Sequence, residues 1–259
     1  MTGDLRLVRP CGATRAELWK ACATAEGLET WYADKVTGSL SPGGGVRLEW
    51  PALGARVDLD VVDWVPNDRV VFADAGSRVT LAVDDGQVSL IHEGLDTPDE
   101  FEAFRSSWRL ALALLATSLD VHPGLVRRPV WFARPMRSTS SLAHVCFTEA
   151  EVLGAWLGRT ERIGAEGDEC RLELRAGNRL TGKVLVRSES RDLALTWREM
   201  NDSVLSFRTF PSPGSAEERV VALCWSRFGP PRPNERAVEE GLRASLDQLA
   251  MLMRQSGAA

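Results

Sequence analysis

Residues 9–33, RPCGATRAELWKACATAEGLETWYA, lie without a gap on residues 134–158, RPMRSTSSLAHVCFTEAEVLGAWLG. Arg9, Pro10, Thr14, Ala25, Glu26, Leu28 and Trp31 fall on Arg134, Pro135, Thr139, Ala150, Glu151, Leu153 and Trp156. Two further matches extend the pattern. Arg47-Leu48-Glu49 recurs as Arg171-Leu172-Glu173, and Arg109, Leu112, Leu115 and Leu119 meet Arg243, Leu246, Leu249 and Met253. The offset drifts from 125 to 124 and then 134, as length changes in connecting loops produce. Self-similarity of this kind constrains a fold more than any local signal. It predicts two copies of one domain of ordinary size. The seam falls in HPGLVRRP, where Pro and Gly interrupt any helix, so the copies span residues 1–124 and 125–259.

Composition narrows the classes. With 44% hydrophobic and 26% charged residues the chain reads as globular. No apolar run approaches the ~20 residues that span a bilayer; the longest, Leu110 to Leu119, is interrupted by Thr117 and Ser118. The opening MTGDLRLVRP lacks a basic segment followed by an apolar core, so no secretion signal is expected. Cys11, Cys22, Cys146, Cys170 and Cys224 are odd in number and without paired spacing. They predict reduced, packing thiols in a cytoplasmic protein. The first copy carries 11 basic and 19 acidic residues, the second 20 and 17. Neither half is basic enough for nucleic acid, and no membrane partner is expected.

Each copy repeats one order of elements. Leu5, Leu7 and Arg9 alternate with Arg6 and Val8 in a first strand. Thr14 followed by Glu17 is a capping-box pattern that opens a short helix, and a second short helix ends near Trp31. In the second copy Thr148 and Glu151 open VLGAWL in the same way. Beyond the SPGGG turn, Val46, Leu48 and Trp50 alternate with Arg47 and Glu49. Further strands contain Val57 to Val61, Arg69 to Ala73, and Val79, Leu81 and Val83, with Asp85-Gly86 turning the chain into Val88 to Glu93. In the second copy Leu205 and Phe207, then Val221, Leu223 and Trp225, mark two late strands. Phe101, Phe104, Trp108, Leu112, Leu115 and Leu119 form one helical stripe, as do Val238, Leu242, Leu246, Leu249 and Met253. One apolar face per strand implies a half-exposed antiparallel sheet, and the long helix is its only adequate cover. The fold class is therefore α+β, with two tandem domains. In each, a curved antiparallel sheet wraps a long C-terminal helix, and two short helices follow the first strand.

This pattern resembles the START-like, helix-grip superfamily. Within it the chain is similar to the family named for the C-terminal domain of the activator of the heat-shock-protein-ninety ATPase. The resemblance rests on ATRAELWKACATAEGLETWYA, SPGGGVRLEW, VVDWVPNDRVVF, VTLAVDDGQVSLIHEGL and SSWRLALALL in the first copy. In the second it rests on RSESRDLALTW and VEEGLRASLDQLAML, and GAEGDEC stands in place of the glycine turn. The resemblance implies a non-enzymatic module that holds a small apolar molecule between sheet and helix. It also leaves open a co-chaperone role with a chaperone ATPase as partner, or a cyclase- or hydrolase-type enzyme.

Nine tryptophans suit such an interior. The candidate lining residues are Trp31, Trp50, Leu81, Phe104 and Trp108 in the first copy, and Trp156, Trp197, Phe207 and Trp225 in the second. Core filling accounts for the same residue types. The larger aromatic helix face, Phe101, Phe104 and Trp108, predicts the more open cavity in the first copy. His92, at a strand end, reads as bonding a nearby loop; His122 suits a helix C-terminus; His144 reads as a surface residue. Scattered His and Cys have no metal-ligand spacing, and no catalytic residue, metal or cofactor is expected. Asp58 and Asp60 alternate with apolar residues and face water. FGPPRPNER, residues 228–236, reads as a loop, with Asn234 placed to cap the last helix.

Overall fold

The structure, a computed structural model, describes residues 3–189, 191–212 and 215–256. The chain divides into two compact units, Met1–Arg127 and Arg128–Ala259, with the boundary inside HPGLVRRP.

Unit 1 runs β1 (Leu5–Pro10), α1 (Arg15–Ala23), α2 (Ala25–Glu29), β2 (Lys35–Gly38), β3 (Gly45–Trp50), β4 (Ala55–Val65), β5 (Arg69–Ala73), β6 (Arg78–Asp84), β7 (Gln87–Glu93) and α3 (Pro98–Asp120). Its strands form one antiparallel sheet in the order β1-β7-β6-β5-β4-β3-β2. Caps decide where the helices begin. Thr14 Oγ1 accepts from Glu17 N, and the Glu17 carboxylate accepts from Thr14 N at 2.8 Å. Thr24 Oγ1 accepts from Gly27 N at 2.9 Å and opens α2. Thr97 and Glu100 close a second box at α3, where Pro98 supplies a first-turn residue with no N–H to satisfy. The stripe seen in the sequence understates α3: residues 111–118 are buried on every side.

Unit 2 runs β8 (Arg127–Arg137), α4 (Ser140–Thr148), α5 (Ala150–Trp156), β9 (Gly158–Arg159), β10 (Glu169–Leu174), β11 (Arg179–Arg187), β12 (Leu193–Trp197), β13 (Ser203–Ser212), β14 (Ser215–Phe228) and α6 (Glu235–Ser256). Its sheet order is β8-β14-β13-β12-β11-β10-β9. Each unit is thus a seven-stranded sheet with a long C-terminal helix, an arrangement consistent with a helix grip. α6 keeps the one-sided pattern, burying Val238, Leu242, Leu246 and Leu249.

Two details differ from the sequence expectation. The residue capping α5 is Glu149, which makes no side-chain cap bond. Thr148 instead ends α4, its Oγ1 donating to the His144 carbonyl at 2.9 Å. The sheet of unit 2 is not half-exposed over β12–β14, because the alternate set, Ala194, Ser206, Ala222, Cys224 and Ser226, is buried as well. Small Ala, Ser and Cys side chains fit either face, and a buried hydroxyl is tolerated when it is bonded. Ser206 Oγ, for example, lies 3.3 Å from the Cys224 carbonyl. Alternation of large apolar residues cannot report such a face.

Candidate functional site

In unit 1 the inward face of β7 carries Val88, Leu90 and then His92. Cross-strand pairing sets His92 between Leu5 of β1 and Val79 of β6. Its imidazole is only 2% exposed. Trp108 of α3 donates its indole N–H to His92 Nδ1 at 3.1 Å. An indole is a donor only, so Nδ1 is the bare nitrogen and the neutral ring carries its proton on Nε2. That Nε2 is buried and has no protein acceptor. Burial pushes the His92 pKa below the ordinary histidine value, against the opposing charge of Asp74. Asp74 itself is fixed in the β5–β6 loop: its Oδ1 accepts from Gly76 N at 3.0 Å, Ser77 N at 2.8 Å and Ser77 Oγ at 3.2 Å. Gly94, at φ +83°, lets this loop lie against the end of β7, since a Cβ there would stand 2.2 Å from the Gly76 carbonyl oxygen.

Aromatic rings surround this polar pair. Tyr32 stacks on Trp108 at 4.8 Å and 15°, and meets Trp50 edge-on at 5.6 Å. Trp50 Nε1 donates to the Tyr32 carbonyl at 3.2 Å. The Phe104 ring stands edge-on to His92 at 4.5 Å. Phe104 is 41% exposed, and Tyr32 and Trp50 are half-buried, so this cluster reaches the surface. Trp31 and Leu81 are fully buried behind it. Beside the cluster, Asp4, the β1 residues Leu5 to Leu7, and the α3 residues Phe101, Arg105 and Arg109 bound a groove of about 440 Å³. Phe101 is three residues from Phe104 on α3, and Leu5 pairs with His92, so the groove adjoins the ring cluster.

In unit 2 a groove of about 430 Å³ recurs, bounded by Pro135, Met136 and Arg137 of β8, Glu218 of β14, and Ala250, Met253 and Arg254 of α6, but the four predicted lining residues are closed in. Trp156, Trp197, Phe207 and Trp225 are all sealed within one core cluster. Phe147 meets Phe207 at 5.5 Å, Trp156 meets Phe207 at 6.3 Å, and Trp197 meets Trp225 at 5.7 Å. Every indole N–H of the three is bonded: Trp156 to the Cys146 carbonyl, Trp197 to the Arg179 carbonyl and Trp225 to Ser203 Oγ, each at 2.9 Å. The first of these matches Trp31 to the Ala21 carbonyl at 3.0 Å in unit 1. Near the end of β14, Arg227 lies over the Trp225 ring at 4.9 Å. It donates to Glu235 at 2.8 Å and to Glu239 at 2.5 Å. Arg128 clamps Glu235 with two bonds of 2.9 and 2.7 Å and donates to the Gly229 carbonyl at 2.6 Å. The Arg128 bonds hold the Glu235 carboxyl below the usual range. Both carboxylates sit in the first turns of α6, where the helix dipole favours negative charge.

The remaining candidates resolve into structural roles. Asp58 is exposed and paired with Arg47 at 2.6 Å, which lowers its pKa. His122 lies just past the C-terminus of α3 and is buried, its backbone N–H donating to the Thr117 carbonyl at 3.2 Å. His144 is half-buried with its Nδ1 enclosed, not a surface residue. All five cysteines are free and buried. Burial raises the Cys22 thiol to about 12 and the Cys170 thiol to about 11. Cys11 is raised to about 11 by burial and by its bond to Asp120 Oδ1 at 3.0 Å. Asn234 directly precedes α6, and its carbonyl accepts from Val238 N at 3.2 Å, while its side-chain amide turns to Met200 Sδ. Among the described residues no group of three His, Cys, Asp or Glu could hold a metal ion, and no helix is long and apolar enough to cross a membrane.

Sequence reasoning missed Tyr32, the chain's single tyrosine, and the inward placement of His92. For His92 a signal existed: Val88, Leu90 and His92 share a spacing of two. For Tyr32 no periodicity applies, because it lies in the turn after α2.

No protein-family profile matches the chain, and no curated protein matches it. Solved structures are similar to it. The Aha1 dimer from Colwellia psychrerythraea is 18% identical over 48% of this chain and 100% of that one, with a TM-score of 0.43. DynU16, from the dynemicin biosynthetic locus, is 16% identical over 96% of this chain and 98% of its own, with a TM-score of 0.42. CalU16 from Micromonospora echinospora is 19% identical over 44% of this chain and 64% of its own, at 0.38.

Proposed function

We propose that unit 1 is a non-enzymatic binding module for a small, flat, largely apolar molecule, and that unit 2 is a second copy of the same domain with its interior filled. One observation carries this reading: Tyr32, Trp50 and Phe104 leave aromatic surface open around Trp108, whereas Trp156, Trp197, Phe207 and Trp225 are shut in. Ligand pockets are largely apolar, with a few placed polar groups. The rings here are the apolar part, and Trp50, Phe104 and Trp108 are the contact residues, with Tyr32 added to them.

Catalysis by a cyclase- or hydrolase-type mechanism needs an acid and a base facing one reacting atom. His92 offers a donor at Nε2, and its basic nitrogen is already bonded to Trp108. Asp74 Oδ1 is committed to its own loop. These arrangements support binding over chemistry.

The test is a titration of the full chain with fluorene, followed through the indole N–H signals in a ¹H–¹⁵N spectrum. The Trp50 and Trp108 signals are expected to move, while those of Trp156, Trp197 and Trp225 stay. No movement at any indole, or movement confined to unit 2, would overturn the proposal.

A further inference from the structure

Arg6, Arg105 and Arg109 line one groove, the space of about 440 Å³ between β1 and α3. Its floor is apolar: Leu5 is buried, and Leu7 and Phe101 are half-buried. Among the described residues that line it, Asp4 is the single carboxylate. This reverses the balance of the first half of the chain, which carries 11 basic and 19 acidic residues. Arg6 meets Asp4 at 2.8 Å, and Arg105 meets Glu102 at 3.3 Å. All four of these side chains are between 42% and 65% exposed. Pairs so exposed contribute little to stability, and a carboxylate from a ligand can join or replace Asp4 and Glu102 at small cost.

The matching residues of unit 2 are engaged with one another. At the repeat offset of 125, Arg6 and Leu7 of β1 correspond to Trp131 and Phe132 of β8. At the offset of 134, Arg105 and Arg109 of α3 correspond to Glu239 and Arg243 of α6. Phe132 is buried, and Arg243 lies over its ring at 5.2 Å. Glu239 accepts from Arg227. A bulky ring thus stands in place of Leu7, and one cation is exchanged for a carboxylate already bonded. The groove of unit 2 lies elsewhere, by Ala250 and Arg254 near the other end of its long helix. Unit 1 keeps the smaller Leu7 and all three arginines.

We infer that the groove between β1 and α3 binds a small carboxylate with an apolar body, the body lying on Leu5, Leu7 and Phe101 and the charge held by Arg6, Arg105 and Arg109. A guanidinium fork matches the two oxygens of a carboxylate. A single charge suits the site better than a dianionic phosphate, because the rest of this half is acidic. That surrounding charge is screened beyond about 10 Å at ordinary salt, whereas the guanidiniums touch the ligand. The volume lies within the usual range of about 300–1,000 Å³ for small-molecule sites. The inference goes beyond the ring cluster of Tyr32, Trp50, Phe104 and Trp108, uses none of those residues, and stands or falls separately.

2-Naphthoate and 2-naphthamide make a matched pair, one flat body with and without the charge. Isothermal titration of the full chain at low salt is expected to show naphthoate binding about tenfold more tightly, as charge-assisted hydrogen bonds imply. The preference should shrink as salt rises. Arg105→Glu, which installs the residue type found in unit 2, should bring the two probes within about twofold of each other. Arg105 is exposed, so this variant should keep its urea midpoint. In the unsubstituted chain naphthoate, but not naphthamide, should shift the Nε–H signals of Arg6, Arg105 and Arg109 in a ¹H–¹⁵N spectrum, a reading that needs no variant to fold. Equal binding of the two probes, binding of neither, shifts confined to arginines outside the groove, or a preference that survives in Arg105→Glu overturns the inference. The ring cluster is read independently, at the Trp50 and Trp108 indole signals, so either site can fail alone.

Discussion

Units 1 and 2 share a strand order and an indole-to-carbonyl bond at Trp31 and Trp156, yet differ near the end of the strand that leads into the long helix. In unit 1 that place holds His92, and in unit 2 it holds Arg227. A buried arginine cannot shed its charge. It therefore requires carboxylates, and Glu235 and Glu239 meet it at the start of α6, with Arg128 clamping the first. The network satisfies itself. A buried histidine can be neutral, needs one partner on Nδ1, and leaves a donor over. A self-satisfied network in one unit and an unpaired buried N–H in the other follow from the ionisation chemistry of two residues.

The largest expected effect tests whether each helix carries its unit's core. Leu112→Ala and Leu246→Ala should each cost about 2–5 kcal/mol in urea unfolding, because both side chains are almost wholly buried. A cost under about 0.5 kcal/mol at either site would break the parallel between α3 and α6. Next comes the contrast at the strand ends. Glu235→Ala leaves Arg227 with Glu239 alone and Arg128 with backbone carbonyls only, and should cost about 3 kcal/mol. His92→Phe should cost about 1 kcal/mol, the loss of Trp108's acceptor. Equal costs would remove the distinction between a charged network and a single neutral hydrogen bond.

Trp31→Phe and Trp156→Phe each delete an N–H that reaches a buried carbonyl. Each should cost about 1–3 kcal/mol, and the two values should agree within about 1 kcal/mol. A wide disagreement would mean that the repeated tryptophan does different work in the two units. The smallest effect is a dependence on pH. Burial lowers the folded-state pKa of His92 and of His144 below the ordinary value of about 6.5. The unfolded chain then takes up protons first. Stability is complete above that pH and declines as pH falls from there towards the folded pKa values. His92→Phe should remove the share due to unit 1, read as a flatter plot of unfolding midpoint against pH. An unchanged slope would show that His92 is not neutral through burial.

Much of the fold was legible because its signals act over a few residues. The capping box at Thr14, the alternation through Val88 and Leu90, and the spacing from Trp108 to Leu115 are local regularities. The candidate site was legible only in part. Trp50, Trp108 and Phe104 stand in the sequence as aromatic residues at strand and helix spacings. The stack of Tyr32 on Trp108 and the bond from Trp108 to His92 join different elements, and no period connects them. The Arg128 to Glu235 clamp spans 107 positions and left no trace in either flanking pattern.

By itself the sequence determined the order of most strands and helices and the face that their large apolar residues turn inward, since periodicity and caps are settled by the backbone within one or two turns. Only the tertiary structure decided which rings are sealed, which stay open, and which nitrogen of His92 carries the proton. Those outcomes depend on contacts between residues far apart in the chain, where distance and direction, not residue type, set the energy.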